Sequence, residues 1–271
     1  MNALLFYCTL GVYLGATIAY LCYLLKPSPR LGATARWILT GGFAVHCLFT
    51  LGRYLEAGHT PITNLHESLS FFSLAVIAVF LIVERKFKIF SLGSFVTPVA
   101  FVLLAVSSVF PTAIAPLNPA LKSKWLVVHT IVAFLGYAAF AVAFGAAVMY
   151  LIQERFLKRK KLGGLFQRLP SLDTLDEINY RCLTFGFPLL TVAIITGAIW
   201  AETAWGTYWS WDPKETWSLI TWFIYAALLH GRMTTGWRGK KAAILAIVGF
   251  LVTIFTFLGV NLLMTGLHSY K

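Results

Sequence analysis

Eight runs of about twenty apolar residues dominate this chain, and they leave it one solvent to fold in. They cover approximately residues 3–25, 37–55, 67–84, 91–110, 126–152, 182–203, 214–231 and 242–264. A helix of about 20 residues crosses the hydrocarbon core of a bilayer. In lipid every backbone polar group needs an internal partner, so a run of this length spans as a helix. With 59% hydrophobic and 12% charged residues, and a mean hydropathy of +0.77, the apolar surface exceeds what one water-soluble core can bury. The expectation is an all-α polytopic integral membrane protein of about eight transmembrane helices, forming a single membrane domain over 1–271. The first run, Leu4 to Leu25, has no basic flank before it and no small-residue cleavage site, so it reads as a retained span. Pro98 and Pro188 fall inside the fourth and sixth spans, where kinks are expected.

Charge sets the expected topology. Of the 22 Lys and Arg, 17 fall in alternate connections, from Lys26 through Arg85, Arg155 and Lys158 to Lys241; Arg53, Lys122, Lys124, Lys214 and Lys271 fall on the other side. The acidic residues divide evenly, so the whole formal charge of +12 belongs to one face. That face is expected to be cytoplasmic, or stromal in a plastid, which puts both termini outside (N-out/C-out). The basic residues are loop anchors scattered between spans, which excludes a nucleic-acid interface. The one long inner loop is expected over about 153–181, with Asp173, Asp176 and Glu177 forming a short surface helix near its end. Cys8, Cys22, Cys47 and Cys182 form no C-x-x-C pair and read as small apolar side chains.

The most informative stretch is Trp205-Gly-Thr-Tyr-Trp-Ser-Trp-Asp-Pro-Lys-Glu-Thr-Trp217. Six of the nine tryptophans lie between Trp200 and Trp222. An interfacial aromatic belt accounts for one or two tryptophans per helix end, not for Trp205, Trp209 and Trp211 in a single loop. Asp212, Pro213 and Glu215 have the spacing of a helix cap with a capping box, which would end the loop sharply and fix the indoles against the seventh span. Flat apolar side chains at the outer surface suit a flat apolar ligand with polar edges, such as a porphyrin.

Haem iron needs axial ligands, and neutral imidazole is the commonest. His129 opens the fifth span and His268 follows the eighth, both on the side of the cassette. One on each face of haem b would give bis-histidine ligation over a platform of Trp205, Trp209, Trp211 and Trp217, with Asp212 orienting the loop. His230 lies 17 residues beyond Pro213, about 25 Å deeper at 1.5 Å per residue. Ionisable residues at that depth are functional candidates, and a second haem could be held there. His46, near the middle of the second span, is the same-chain candidate to partner it. His59 and His66 read as loop structure. Arg53, Lys122 and Lys124 are candidates for the haem propionates.

The cassette resembles the WWD signature of membrane haem-handling proteins for cytochrome c maturation, and is most similar to the CcsA/ResC-type family of system II. His129-Thr-Ile-Val-Ala-Phe-Leu-Gly-Tyr137, Leu229-His230, Gly266-Leu-His268-Ser-Tyr270 and Pro61-x-x-Asn64-x-x-Glu67-Ser68-Leu69 also look like family segments. The resemblance implies that the WWD segment, about 200–222, holds haem at the outer surface with His129 and His268. It implies that His230 serves an internal haem whose opposite ligand comes from a ResB/CcsB-type membrane subunit, and that the product is haem joined to the C-x-x-C-H thiols of an apocytochrome c. The chain would then be the haem-handling subunit of a holocytochrome c synthase in the bacterial inner (plasma) membrane, its site facing the periplasm or exterior, or in the thylakoid membrane of a plastid. No catalytic residue is expected on this chain, because the thiols come from the substrate. Rival readings are CcmC-type delivery to a haem chaperone, a HemX-like regulatory membrane protein, a respiratory anchor carrying haem b and quinone, and a transporter gated by aromatics.

Overall fold

The computed structural model describes residues 2–114, 117 and 119–264. Its eight long helices are α1 (Asn2–Leu25), α2 (Pro29–Ala57), α3 (Leu65–Phe87), α4 (Gly93–Ser107), α5 (Lys124–Lys158), α6 (Leu172–Trp205), α7 (Pro213–Thr234) and α8 (Lys240–Leu263). No strand occurs among the described residues. Apart from α7, each of these helices is long and apolar enough to cross a membrane, α4 with the short 3-10 turn before it. With 22 residues α7 is long enough at about 33 Å, but its first turn carries Lys214 and Glu215 and its last Arg232, which lower its hydropathy. α4 and α6 continue through Pro98 and Pro188 without a break in assignment.

Successive helices run antiparallel. Asn2 at the start of α1 meets Glu56 at the end of α2. His66 at the start of α3 meets the carbonyl of Ser107 at the end of α4. His129 early in α5 meets Ala193 late in α6, and Lys214 of α7 meets Asn261 of α8. One end of the bundle therefore carries the 206–212 loop and both ends of the chain as described. The opposite end gathers the basic connections after α1, α3, α5 and α7. α5 and α6, with 35 and 34 residues, are about 50 Å long and outreach a hydrocarbon core of about 30 Å. Their ends absorb most of the expected 153–181 loop, leaving 159–171, and Asp173, Asp176 and Glu177 form the first two turns of α6 itself.

The core sits on α5, whose run Ala138 to Ala143 is fully or almost fully buried. α6, α8 and α3 all pack against it, and Phe72 of α3 meets both Phe134 of α5 and Phe257 of α8. Phe140 of α5 stacks on Tyr225 of α7, centroids 3.7 Å apart. Lipid gives helices no hydrophobic reason to associate, so small residues and interhelical hydrogen bonds hold them. Gly136 and Gly186 bring α5 and α6 into backbone contact; a Cβ on Gly186 would lie 2.6 Å from the Phe140 ring and 3.1 Å from the Gly136 carbonyl. Ser73 Oγ donates to Ala100 and Ser94 Oγ to Tyr20, each at 2.7 Å. Large apolar side chains face outward, among them Trp37 and Leu55 on α2 and Phe185 and Ile195 on α6. That inversion is what a lipid-facing surface requires.

Replacing Gly186 by valine should overpack the α5–α6 contact and cost about 1–3 kcal/mol, read as a lower unfolding midpoint in detergent. Gly41, with nothing within 4 Å of its missing Cβ, should tolerate the same replacement.

Candidate functional site

α6 ends on Trp205, so that tryptophan belongs to a helix and not to the loop. Gly206 then takes a left-handed conformation (φ 75°) and its N–H closes the helix on the Glu202 carbonyl. Asp212 and Glu215 form the expected capping box. Asp212 Oδ1 accepts from Lys214 N at 2.9 Å, and Glu215 Oε2 accepts from Ser210 N at 2.8 Å and Asp212 N at 3.1 Å. Trp211, between these two donors, is held at φ 59°, a region that side chains other than glycine rarely occupy. Its carbonyl also takes the Thr216 hydroxyl. The strain has a visible result: the Trp211 indole is 67% exposed, edge-on to Trp209 at 5.7 Å.

Beneath the loop lies His129. Its Nδ1 meets the Ala193 carbonyl at 2.7 Å, a geometry in which Nδ1 carries the proton and donates. Nε2 then holds the lone pair, the arrangement by which proteins orient metal-binding imidazoles. Trp200 stacks beside the ring, 6.2 Å between centroids and 21° between planes, and Trp205 packs edge-on to Trp200 at 4.9 Å. Gly197 is the close approach that lets the imidazole in: a Cβ there would stand 2.8 Å from it. His129, Tyr137, Tyr208, Trp209, Lys214 and Glu215 line a cavity of about 70 Å³. That is room for roughly five waters, at about 10–15 Å³ of space each. The cavity is far smaller than the roughly 300–1,000 Å³ of a pocket that encloses an organic ligand, and the exposed indole beside its mouth is that of Trp211.

The remaining expected residues are distributed as follows. Trp217 sits inside α7 and packs on Phe255, 4.5 Å away, where α8 makes a π-turn over Phe255–Gly259. Lys214 Nζ donates to Asn261 just beyond that turn. Together they tie the loop to the last helix. His268 lies outside the described residues. His230 is exposed on α7, toward the basic end. His46 is fully buried with both ring nitrogens engaged, Nδ1 with the Tyr13 hydroxyl at 3.0 Å and Nε2 with Ser70 Oγ at 2.9 Å. α2 packs on α1 and α3, while α7 packs on α6 and α8, so the structure does not bring His46 and His230 together. His66 is buried against Phe6 and Phe49. Arg53 forms a buried pair with Glu67 at 3.0 Å, and Lys122 and Lys124 are exposed before and at the start of α5.

Sequence reasoning placed Trp200 and Tyr208 in the haem-handling segment without giving either a role, and missed Gly197 and Asn261 as parts of this site. Ala193, Gly197 and Trp200 share one face of α6 by their spacing of four and three residues, and that pattern was a usable signal. Asn261 reaches Lys214 only through the π-turn, which no local pattern marks.

The described residues thus define a class: a polytopic helical membrane protein with a capped, tryptophan-bearing loop set over a carbonyl-anchored histidine. A family model, that of the cytochrome C assembly proteins, matches residues 62–268, and the chain belongs to that family. Its relatives include the cytochrome c biogenesis protein CcsA of Microcystis aeruginosa, 43% identical over 89% of this chain and 88% of the relative. The CcsA of Crocosphaera subtropica is 41% identical over 98% and 94%, and that of Guillardia theta 42% over 80% and 79%. Among solved structures, the cytochrome c haem lyase CcmF superposes with a TM-score of 0.69 over 95% of this chain, at 21% identity. The chain spans 46% of the CcmF length, so the likeness concerns the fold.

Glu215→Ala removes the acceptor shared by two loop N–H groups, which should cost about 1–3 kcal/mol locally. Amide hydrogen exchange at residues 208–212 should accelerate while the α5–α6 core keeps its protection.

Proposed function

We propose that this chain takes part in cytochrome c biogenesis by presenting haem at the tryptophan-loop end for covalent attachment to an apocytochrome c. The observation that carries the reading is His129: a buried Nδ1–H donated to Ala193, a lone pair left on Nε2, and indoles at its side under a rigidly capped loop. Haem is here a substrate, and the residues fit it as a surface rests a plate. His129 supplies one axial position from below, the exposed Trp211 indole a flat apolar support with Trp209 edge-on behind it, and Lys214 a positive charge beside the cavity. His268 would supply the second axial position, making the bound haem b bis-histidine.

The chemistry demands little from this chain. Each substrate thiol adds its S–H across a vinyl group, forming one C–S and one C–H bond with no leaving group. The protein contributes position, which turns a meeting of two molecules into a local reaction. The histidine of the C-x-x-C-H motif is suited to displace one of the two axial imidazoles, which loosens the product. With the basic connections on the opposite end, the positive-inside rule assigns the site to the periplasm, or to the corresponding lumen of a thylakoid. A ResB/CcsB-type subunit is the partner in this reading. His230, exposed on α7 and roughly 25 Å along that helix from the loop, is placed to share an internal haem with a ligand from that subunit.

The test is the visible spectrum of the chain purified with its partner. Wild type should show a low-spin bis-histidine haem. His129→Ala and His268→Ala should each lose that spectrum, and imidazole should partly restore it; unchanged haem content in both variants refutes the assignment. Gly197→Ala, which drives a methyl group into the His129 ring, should weaken haem retention without altering the helical content of the protein, as checked by circular dichroism.

A further inference from the structure

We propose that α1, α2 and α3 carry a proton relay across the membrane, from Glu67 at the tryptophan-loop end through His46 at mid-span to Glu84 near the basic end. All three side chains lie within helices that span the bilayer, and they are 3%, 0% and 0% exposed. Ionisable groups at such depth are expensive, and chains of Asp, Glu and His in membranes are the usual carriers of protons. None of the three is accounted for by the site on α5, α6 and α7, and the inference rests on no part of the haem reading.

Each station is held by hydrogen bonds of its own. Glu67 accepts from Arg53 at 3.0 Å and from the Thr63 hydroxyl at 2.9 Å. One turn further along α3, about 4.5 Å, Ser70 meets His46 Nε2 at 2.9 Å. Glu67 and Ser70 both line a cavity of about 10 Å³, about the space of a single water. Arg53 Nη2, buried and without a hydrogen-bond partner, also belongs to a residue lining it. His46 Nδ1 meets the Tyr13 hydroxyl at 3.0 Å. At the other end Tyr20 donates to Glu84 Oε2 at 2.7 Å, and Arg36, partly exposed, holds Glu84 Oε1 at 3.0 Å.

Tyr13 and Tyr20 are seven residues apart on α1, about 10 Å along the axis. Thr17 of α1 lies between them in sequence and Thr40 of α2 lies between Arg36 and His46, and both hydroxyls are buried without a protein partner. Buried hydroxyls in that condition are satisfied by ordered water, and two or three waters bridge such a distance. Interhelical serine and threonine bonds alone would hold three helices together. They would require neither two buried carboxylates and an imidazole in one file, nor unpaired hydroxyls at the interval between the tyrosines.

The transfer balances without any change in heavy-atom bonding. A proton leaving Glu67 passes through water and Ser70 to His46 Nε2, while the Nδ1 proton leaves to Tyr13 oxygen. The Tyr13 proton moves on through the threonine waters to Tyr20 and Glu84; a flip of the imidazole ring then restores the first tautomer while the hydroxyls rotate back to their starting hydrogen bonds. The direct hops run from Ser70 to His46, from His46 to Tyr13 and from Tyr20 to Glu84; the intervals from Glu67 to Ser70 and from Tyr13 to Tyr20 are the ones that water has to bridge.

The experiment uses the full chain in vesicles of neutral lipid containing a pH-sensitive dye, with a potassium diffusion potential as the driving force. Wild type should acidify or alkalise the lumen faster than protein-free vesicles. His46→Gln, which keeps hydrogen bonds but does not exchange a proton between two nitrogens, should bring the rate down to that of protein-free vesicles. Tyr13→Phe, which removes one oxygen and no packing volume, should do the same. Wild-type flux no greater than that of protein-free vesicles overturns the proposal. So does wild-type flux in both variants when they elute as the native protein does.

Discussion

Lipid accepts no hydrogen bonds, and this absence organises the whole molecule. Helices satisfy their own backbones, but every helix end and every polar side chain inside the bundle has to find a partner in the protein. The consequences are visible at each level. Asn64 and Asp212 cap α3 and α7 with their side chains. Glu67 and Glu215 each collect several donors from one loop. Glu84 takes both a tyrosine and an arginine. The tryptophan loop is rigid for this same reason: at the edge of the bilayer its N–H groups are gathered onto one carboxylate, and the strained backbone of Trp211 is the by-product.

Span number and the tryptophan loop's anchor were legible in the sequence because they depend on local rules. Apolar run length marks helices whatever they pack against, and Asp212, Pro213 and Glu215 announce a cap by spacing alone. Span boundaries were less legible. Where α5 passes Arg155 and Lys158, and α6 begins with Asp173, Asp176 and Glu177, charged residues read as loop although the helix continues beyond the hydrocarbon. There the backbone still prefers its own hydrogen bonds, and salt bridges such as Lys158 with Glu154 and Arg232 with Asp176 hold the protruding turns. α7 is the converse case. Its apolar run marked it as a span, but its polar first turn belongs to the site.

The histidines divide along the same line. His129 was marked by its place at the start of a span beside an aromatic cassette, and its Nδ1 anchor on Ala193 is a contact between residues 64 apart that no sequence pattern displays. His46 looked like a candidate ligand because a lone mid-membrane imidazole demands an explanation. Tyr13, 33 residues away, and Ser70, 24 residues away, provide it by taking both nitrogens. An imidazole with both nitrogens engaged transmits protons well and binds a metal poorly. The two residues are chemically identical, and what they can do is settled by which of their nitrogens the fold leaves a lone pair on.

The shallow cavity over His129 bears on the same distinction. A haem carrier that stores its cargo encloses it, because burial both retains the ring and excludes water from the iron. Here the cavity beside His129 holds roughly five waters, and the Trp211 indole at the loop faces outward. A ring resting on that surface keeps much of its edge open to a second protein. In the proposed role, retention would depend on axial bonds and indole contact, both of which an incoming histidine and a folding polypeptide could replace one at a time. For the proposed haem role, rigidity of the loop and looseness of the cargo would therefore not be in conflict: the capping box fixes the support, so no energy would be spent reshaping it when a substrate arrives or leaves, and the weak enclosure would keep the barrier to departure low.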